Sequence, residues 1–185
     1  EEAEHQKKIS GLEEGRWPGD TGDKRKLVEA YADFGQYYIE KKMHSDALLQ
    51  YEKAIPLQQA FVDALPGNAR HLRQLSMYVN TVGDIHIGMG NWDEAELARQ
   101  KENELREQLV DRHPDVPDYA SDLAALYSLR GRLKYRQKKH DEAVVYFEKV
   151  LPILEALTRQ FPDRPTYKRQ LAIYFGDRTD LYRAQ

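Results

Sequence analysis

Six histidines are the side chains best equipped for metal or proton chemistry, and their spacing supplies neither. His44 and His140 stand 96 residues apart, and His5, His71, His86 and His113 fall at unrelated intervals. No His-Glu-x-x-His run sets two imidazoles on one helical face, as a zinc site of that type requires. No Asp-rich calcium loop occurs. Gly83 and Gly88-Met89-Gly90 invite a phosphate-loop reading, but the Gly-x-x-x-x-Gly-Lys run that cradles a phosphate is missing. Carboxylates are plentiful and lie on amphipathic stretches, where they form solvated faces. With no cysteine, the chain offers no thiolate nucleophile, disulfide or Cys-type zinc site. The expectation is a non-enzyme without catalytic residues, metal or cofactor.

Composition narrows the remaining classes. The 185 residues are 41% hydrophobic and 32% charged, a balance that folds. Basic and acidic side chains number 28 and 31, for a formal charge of −3. That balance lacks the basic face on which DNA or RNA binding depends, and lacks a polybasic membrane signal. No apolar run approaches the roughly 20 residues of a membrane span. The first residue is Glu1 and no signal-peptide pattern follows, so the expectation is a cytoplasmic piece of a longer protein.

Residues that carry no chemistry must therefore be read for what they position, and they repeat. Pro18, Pro66, Pro114 and Pro162 are spaced by 48, as are Leu27, Leu75, Leu123 and Leu171. Gly35, Gly83 and Gly131 follow the same interval until Thr179 breaks it, and so do Ala47, Ala95 and Ala143. Between these markers apolar side chains recur at three- and four-residue steps, the signature of one helical face. Turn clusters at Pro66-Gly67-Asn68, Gly88-Met89-Gly90-Asn91 and Pro114-Asp115-Val116-Pro117 separate the runs. Helices are predicted at about 24–41, 46–64, 69–87, 94–112, 117–137, 142–161 and 165–184. Ser45, Asp93 and Asp141 share one position, where a helix N-cap is expected. Pro56 and Pro152 fall inside predicted helices, where each removes a backbone hydrogen bond and bends its helix.

One unit holds Tyr31-x2-Phe34-Gly35-x2-Tyr38, then Ala47-x3-Tyr51, then Pro66. This resembles the tetratricopeptide signature. A later unit keeps Tyr127, Gly131, Ala143, Phe147 and Pro162 but has Arg130 and Lys134 in place of Phe34 and Tyr38. The middle unit keeps Gly83, Ala95 and Pro114, with His86 and Arg99 where large apolar groups are usual. The resemblance implies an all-α fold, a right-handed superhelical solenoid of antiparallel helix hairpins. The interval of 48 exceeds the ordinary repeat of about 34. Each helix is longer by one heptad, about two turns, which returns the apolar stripe to the same face. This longer variety resembles arrays of bacterial multidomain signalling proteins. The division expected is 18–65, 66–113 and 114–161 as full units. Residues 1–17 would end a preceding unit, and 162–185 would form a partial one. The array would thus be cut at both ends.

In this family the first helix of each hairpin lines a concave groove. Carried over, the groove positions are Glu29, Ala32, Asp33, Gln36, Ile39 and Glu40, then Met77, Asn80, Thr81, Asp84 and Ile87. The third set is Ala125, Ser128, Leu129, Arg132, Tyr135 and Arg136. Side chains that differ between units are free to carry specificity, whereas those that recur serve stacking. On that rule Arg25, Arg73 and Arg169 are ion-pair partners within the stack. Arg132 and Arg136, one turn apart, are candidates to grip a carboxylate or phosphate. The expected partner is a protein or peptide, with self-association through the open ends or a regulatory arm of a signalling enzyme as alternatives. Lys and Asn are not combined at the groove positions that clamp a C-terminal carboxylate, so a chaperone-tail receptor is not expected.

Overall fold

The computed structural model describes residues 1–13 and 21–184, with side chains for 1–13 and 24–179. Pro18, the first of the marker prolines, lies outside the described residues. All described regular structure is helical: α1 (Glu2–Glu13), α2 (Thr21–Glu40), α3 (His44–Ala64), α4 (Ala69–Met89), α5 (Trp92–Arg112), α6 (Pro117–Arg136), α7 (His140–Gln160) and α8 (Pro165–Ala184). Two compact units divide the chain, residues 1–109 and 110–185. Within each unit consecutive helices pack as neighbours, in the manner of an α-solenoid. The predicted helices are all present. Pro66, Pro114 and Pro162 lie in the connections between them.

The short turns have one chemistry. Lys42, Gly90 and Lys138 adopt positive φ, at 60°, 79° and 60°. Around each, a pair of backbone bonds closes the preceding helix. Met43 N–H donates to Tyr38 O at 2.9 Å and Lys42 N–H to Ile39 O at 2.9 Å. The pairs Asn91 to His86 and Gly90 to Ile87, then Lys139 to Lys134 and Lys138 to Tyr135, repeat it. This is the Schellman arrangement, which satisfies carbonyls at a helix end through one left-handed residue. The next helix starts at once, because Met43, Asn91 and Lys139 already accept from Ala47, Ala95 and Ala143 at 3.0 Å.

That compactness corrects the capping expectation. Ser45, Asp93 and Asp141 are the second residues of α3, α5 and α7, not their N-caps. Met43 and Lys139 hold the cap positions of α3 and α7, without a side-chain bond. Asp93 and Asp141 lie in the first turn, where their charge complements the helix dipole. Gly88 is helical as well, so that turn begins at Gly90. The side chain that does cap is Asn68, whose Oδ1 accepts from Arg70 N–H at 3.0 Å. Pro56 and Pro152 leave α3 and α7 unbroken. Both prolines are exposed, as are Glu52 and Glu148, whose carbonyls lose the donor, so water can take its place.

Each hairpin closes over a glycine. A Cβ on Gly35 would lie 2.7 Å from the Tyr51 ring, and one on Gly131 would lie 2.8 Å from the Phe147 ring. Rings of the second helix therefore rest on bare backbone of the first. Each ring also meets the next first helix, with centroids 5.8 Å apart for Tyr51 and Tyr78 and 6.3 Å for Phe147 and Tyr174. Ala47, Ala54, Ala143 and Val150 are fully enclosed beside them.

The α4–α5 hairpin uses different chemistry at the same positions. Arg99 takes the ring's place over Gly83, with Nε 3.2 Å from where a Cβ would stand. Glu102 takes the place of Ala54 and Val150 and is 1% exposed. Arg106 donates to it at 3.1 Å, and Arg99 lies 3.6 Å away. Arg99 also donates to Asn80 and to Asp84. In α6, the buried Arg130 and Lys134 are a second polar intrusion, and Lys134 pairs with Glu142 at 2.7 Å. The hydrogen bond from Lys134 holds the Glu142 carboxyl below its usual range.

Two stability measurements check these assignments. A side chain in the left-handed region costs about 1 kcal/mol that glycine does not. Lys42→Gly and Lys138→Gly are each expected to raise stability by that amount, seen as a higher urea midpoint with an unchanged slope. A buried charge stripped of its partner is costly, whereas replacing the whole network with apolar groups is not. Glu102→Ala alone is expected to lose roughly 3 kcal/mol. Combining it with Arg99→Tyr, to match the first hairpin, should recover most of the loss in the same assay.

Candidate functional site

The carried-over groove residues share the faces that the apolar stripes leave open. On α2, Glu29, Asp33, Gln36 and Glu40 are exposed, while Ala32 and Ile39 are half-buried against the unit 1 core. Asp33 pairs with Lys8 of α1 at 3.3 Å, and Gln36 Nε2 donates to Glu40 Oε1 at 3.3 Å. On α4, Met77 and Ile87 are 59% and 40% exposed beside Asp84, with Asn80 and Thr81 half-buried. Asn80 Nδ2 donates to Asp84 Oδ2 at 3.4 Å. Thr81 Oγ1 donates to Met77 O at 3.0 Å and bonds the Tyr51 hydroxyl, whose pKa burial raises. The unit 1 face is thus acidic, with two apolar side chains standing in it.

On α6 of unit 2, Ala125, Leu129 and Arg136 are exposed, and Ser128, Arg132 and Tyr135 are half-buried. A hollow of about 120 Å³ opens among α6, α7 and α8, bounded by Ser128, Arg132, Leu154, Gln170 and Ile173. Arg132 donates to Asp177 of α8 at 3.1 Å. The two arginines therefore differ: Arg132 braces α6 on α8, while Arg136 extends into solvent. Tyr135 is turned edge-on to His140, with centroids 5.4 Å apart.

The histidines serve packing. His5 stacks on Phe34 at 5.2 Å, His71 stacks on Phe61 at 5.2 Å, and His113 meets Tyr119 edge-on at 6.0 Å. His44 lies over Gly88, 3.0 Å from where a Cβ would stand. Among the described residues no group of three or more His, Asp or Glu is arranged to hold a metal ion. No helix among them is long and apolar enough to cross a membrane.

Sequence reasoning missed the double duty of the groove. Asn80 and Asp84 were expected to face a partner alone, yet Arg99 of α5 holds both. The signal was present, because Arg99 stands 48 residues after Tyr51 and before Phe147. A cation in a ring's place over glycine needs acceptors on the facing helix. The Asp177 partner of Arg132 had no such signal.

No curated protein matches the chain. A family model described as tetratricopeptide repeat matches residues 124–152. That span takes in most of α6, the left-handed Lys138 turn, the seat of Phe147 on Gly131, and the first half of α7. The chain carries a tetratricopeptide repeat at residues 124–152.

Proposed function

We propose that the open faces of the first helices bind an extended peptide or partner helix, making the chain a protein-interaction scaffold. Tetratricopeptide repeats are protein-interaction modules in general and typically non-catalytic. The observation that carries the finer reading is the exposure of Met77, Ile87 and Leu129 within the polar faces of α4 and α6. Apolar anchors rimmed by polar groups are the usual anatomy of a recognition surface. On α4 the rim is Asn80, Thr81 and Asp84, and on α6 it is Ser128, Arg132, Tyr135 and Arg136. On α2, Glu29, Asp33, Gln36 and Glu40 supply polar specificity without an exposed large anchor. The same reading divides the chain at 18–65, 66–113 and 114–161, between an end of a preceding repeat (1–17) and a partial one (162–185). The connections after Ala64, Arg112 and Gln160 support that division.

Peptides selected from a displayed library against the chain test the proposal. Met77→Glu and Leu129→Glu, measured separately, are each expected to weaken a set of the selected peptides roughly tenfold, as loss of a central anchor does. Leu97→Glu, at a site 65% exposed on α5, should leave affinities unchanged. Equal losses from all three substitutions, or losses only at Leu97, would remove the groove assignment.

A second reading is self-association, favoured by α8. Phe175 is 52% exposed, although the residue 48 positions earlier, Tyr127, is 2% exposed beneath a second helix. A second copy covering this face would make mass in sedimentation rise with concentration. Phe175→Glu should return the chain to monomer mass, and a chain monomeric at every concentration would end this reading.

A further inference from the structure

We infer that unit 1 holds an oxyanion-binding cleft where α2, α3 and α4 meet, in which Arg25 and Arg70 together take a phosphate or carboxylate group above His71. The inference does not depend on the groove reading. The cleft encloses about 110 Å³, on the order of three or four water volumes. Its floor is fixed. Gln58 and His71 are 2% and 8% exposed, and Gln58 Nε2 donates to the His71 carbonyl at 2.8 Å. The same amide lies 3.4 Å from His71 Nδ1, and the ring stacks on Phe61 at an interplanar angle of 16°. With Nδ1 as acceptor, the ring's proton sits on Nε2.

The rim is cationic and unsatisfied. Among the described residues neither Arg25 nor Arg70 has an ion-pair partner, and both are near enough to His71 to act on its charge. Burial first, and then these two guanidiniums, hold the imidazole below its usual pKa. A potential that disfavours imidazolium favours an anion. Glu29 of α2 is the one acid lining the cleft, and α3 brings only neutral Gln58.

Two further observations point the same way. Helix N-termini favour negative charge, and α3, α5, α6 and α7 each place an acid in the first turn. Helices α4 and α8 have none there, and α4 carries Arg70 and His71 instead. An anion bound at that end relieves the mismatch. The residues 96 positions later make a different place, where Arg164 stands for Asn68, donates to Tyr167 and pairs with Asp118. Ser121, Thr166 and Tyr167 replace Arg25, Arg70 and His71, and Ser121 Oγ donates to Gln170 Oε1 at 3.1 Å. The combination of Arg25 and Arg70 is thus particular to unit 1.

Proton NMR of the His71 ring, titrated with inorganic phosphate against chloride at matched ionic strength, tests the cleft. Phosphate is expected to shift this resonance saturably and to raise the pH midpoint of His71, since a neighbouring anion favours imidazolium. Arg25→Gln with Arg70→Gln should weaken the response roughly tenfold or more and remove the midpoint rise. The ring-current shift from Phe61 should persist, showing that the floor is intact. Arg136→Gln, in unit 2, should respond as the unsubstituted chain does. Acetate in a parallel titration separates the two sources: a response to both anions assigns a general oxyanion site, and a response to one alone names that group. Absence of a saturable response to either anion, or a response retained in the double variant, overturns the proposal.

Discussion

The seating of a second-helix side chain on a bare glycine of the first helix governs every hairpin described. It sets how closely two helices approach, and hence where every other side chain lies. Tyr51 over Gly35 and Phe147 over Gly131 leave no room for even a methyl group. Interiors pack at crystal-like density, so a contact this close cannot slide without losing many smaller ones. The rings reach onward to Tyr78 and Tyr174, carrying the geometry of one hairpin to the next first helix within its unit. The open face is a consequence. Once rings and small residues fix the inner face, the groove positions have only the other side of the helix left.

The α4–α5 hairpin shows what happens when the seat is kept and the ring is not. Arg99 still lies over Gly83, but a guanidinium demands acceptors that a phenyl group does not. Asn80 and Asp84 meet the demand from the facing helix, and Glu102 and Arg106 extend the network inward. Such a network contributes little net stability compared with apolar packing, and it fails badly when one member is removed. It does fix which way Asn80 and Asp84 point. The exposed face of α4 is thus held from behind, with Asn80 and Asp84 already ordered by Arg99.

Much of this was legible from spacing. Helices, turns and faces followed from periodicity, because the 3.6-residue repeat and the 48-residue interval both act through local sequence. Gly90 carried a signal about its two counterparts that spacing alone did not bring out. A glycine at positive φ, with Lys42 and Lys138 at the same interval, implies that two lysines occupy a conformation made for glycine. The caps were misplaced for a local reason too. A Schellman end feeds straight into the next helix, so Ser45, Asp93 and Asp141 fall two positions too deep to cap. What could not be read were pairings such as Arg132 with Asp177 and Ser121 with Gln170, 45 and 49 residues apart. No periodicity specifies a partner at that range. Only the packing of α8 on α6 brings them together.

Charge varies among the hairpins while the backbone does not, and this separates the two roles of a side chain. The left-handed turn, the enclosed alanine and the glycine seat are backbone requirements, so they recur at Gly90, Ala95 and Gly83 even where the core is ionic. Arg25 of α2 and the first turn of α4 carry no such requirement, because they lie beyond the glycine seat. Arg25 and Arg70 can therefore stand where Ser121 and Thr166 stand later without altering the frame. A frame that tolerates either choice does not explain why cations gather at the end of α4, where the helix dipole opposes them. Helices α3, α5, α6 and α7 place an acid there, and α8, which has none, places neutral Thr166 and Tyr167 where α4 has Arg70 and His71. A bound oxyanion gives those charges a physical reason, since it turns an unfavourable pairing of cation and dipole into two favourable ones around a shared negative group.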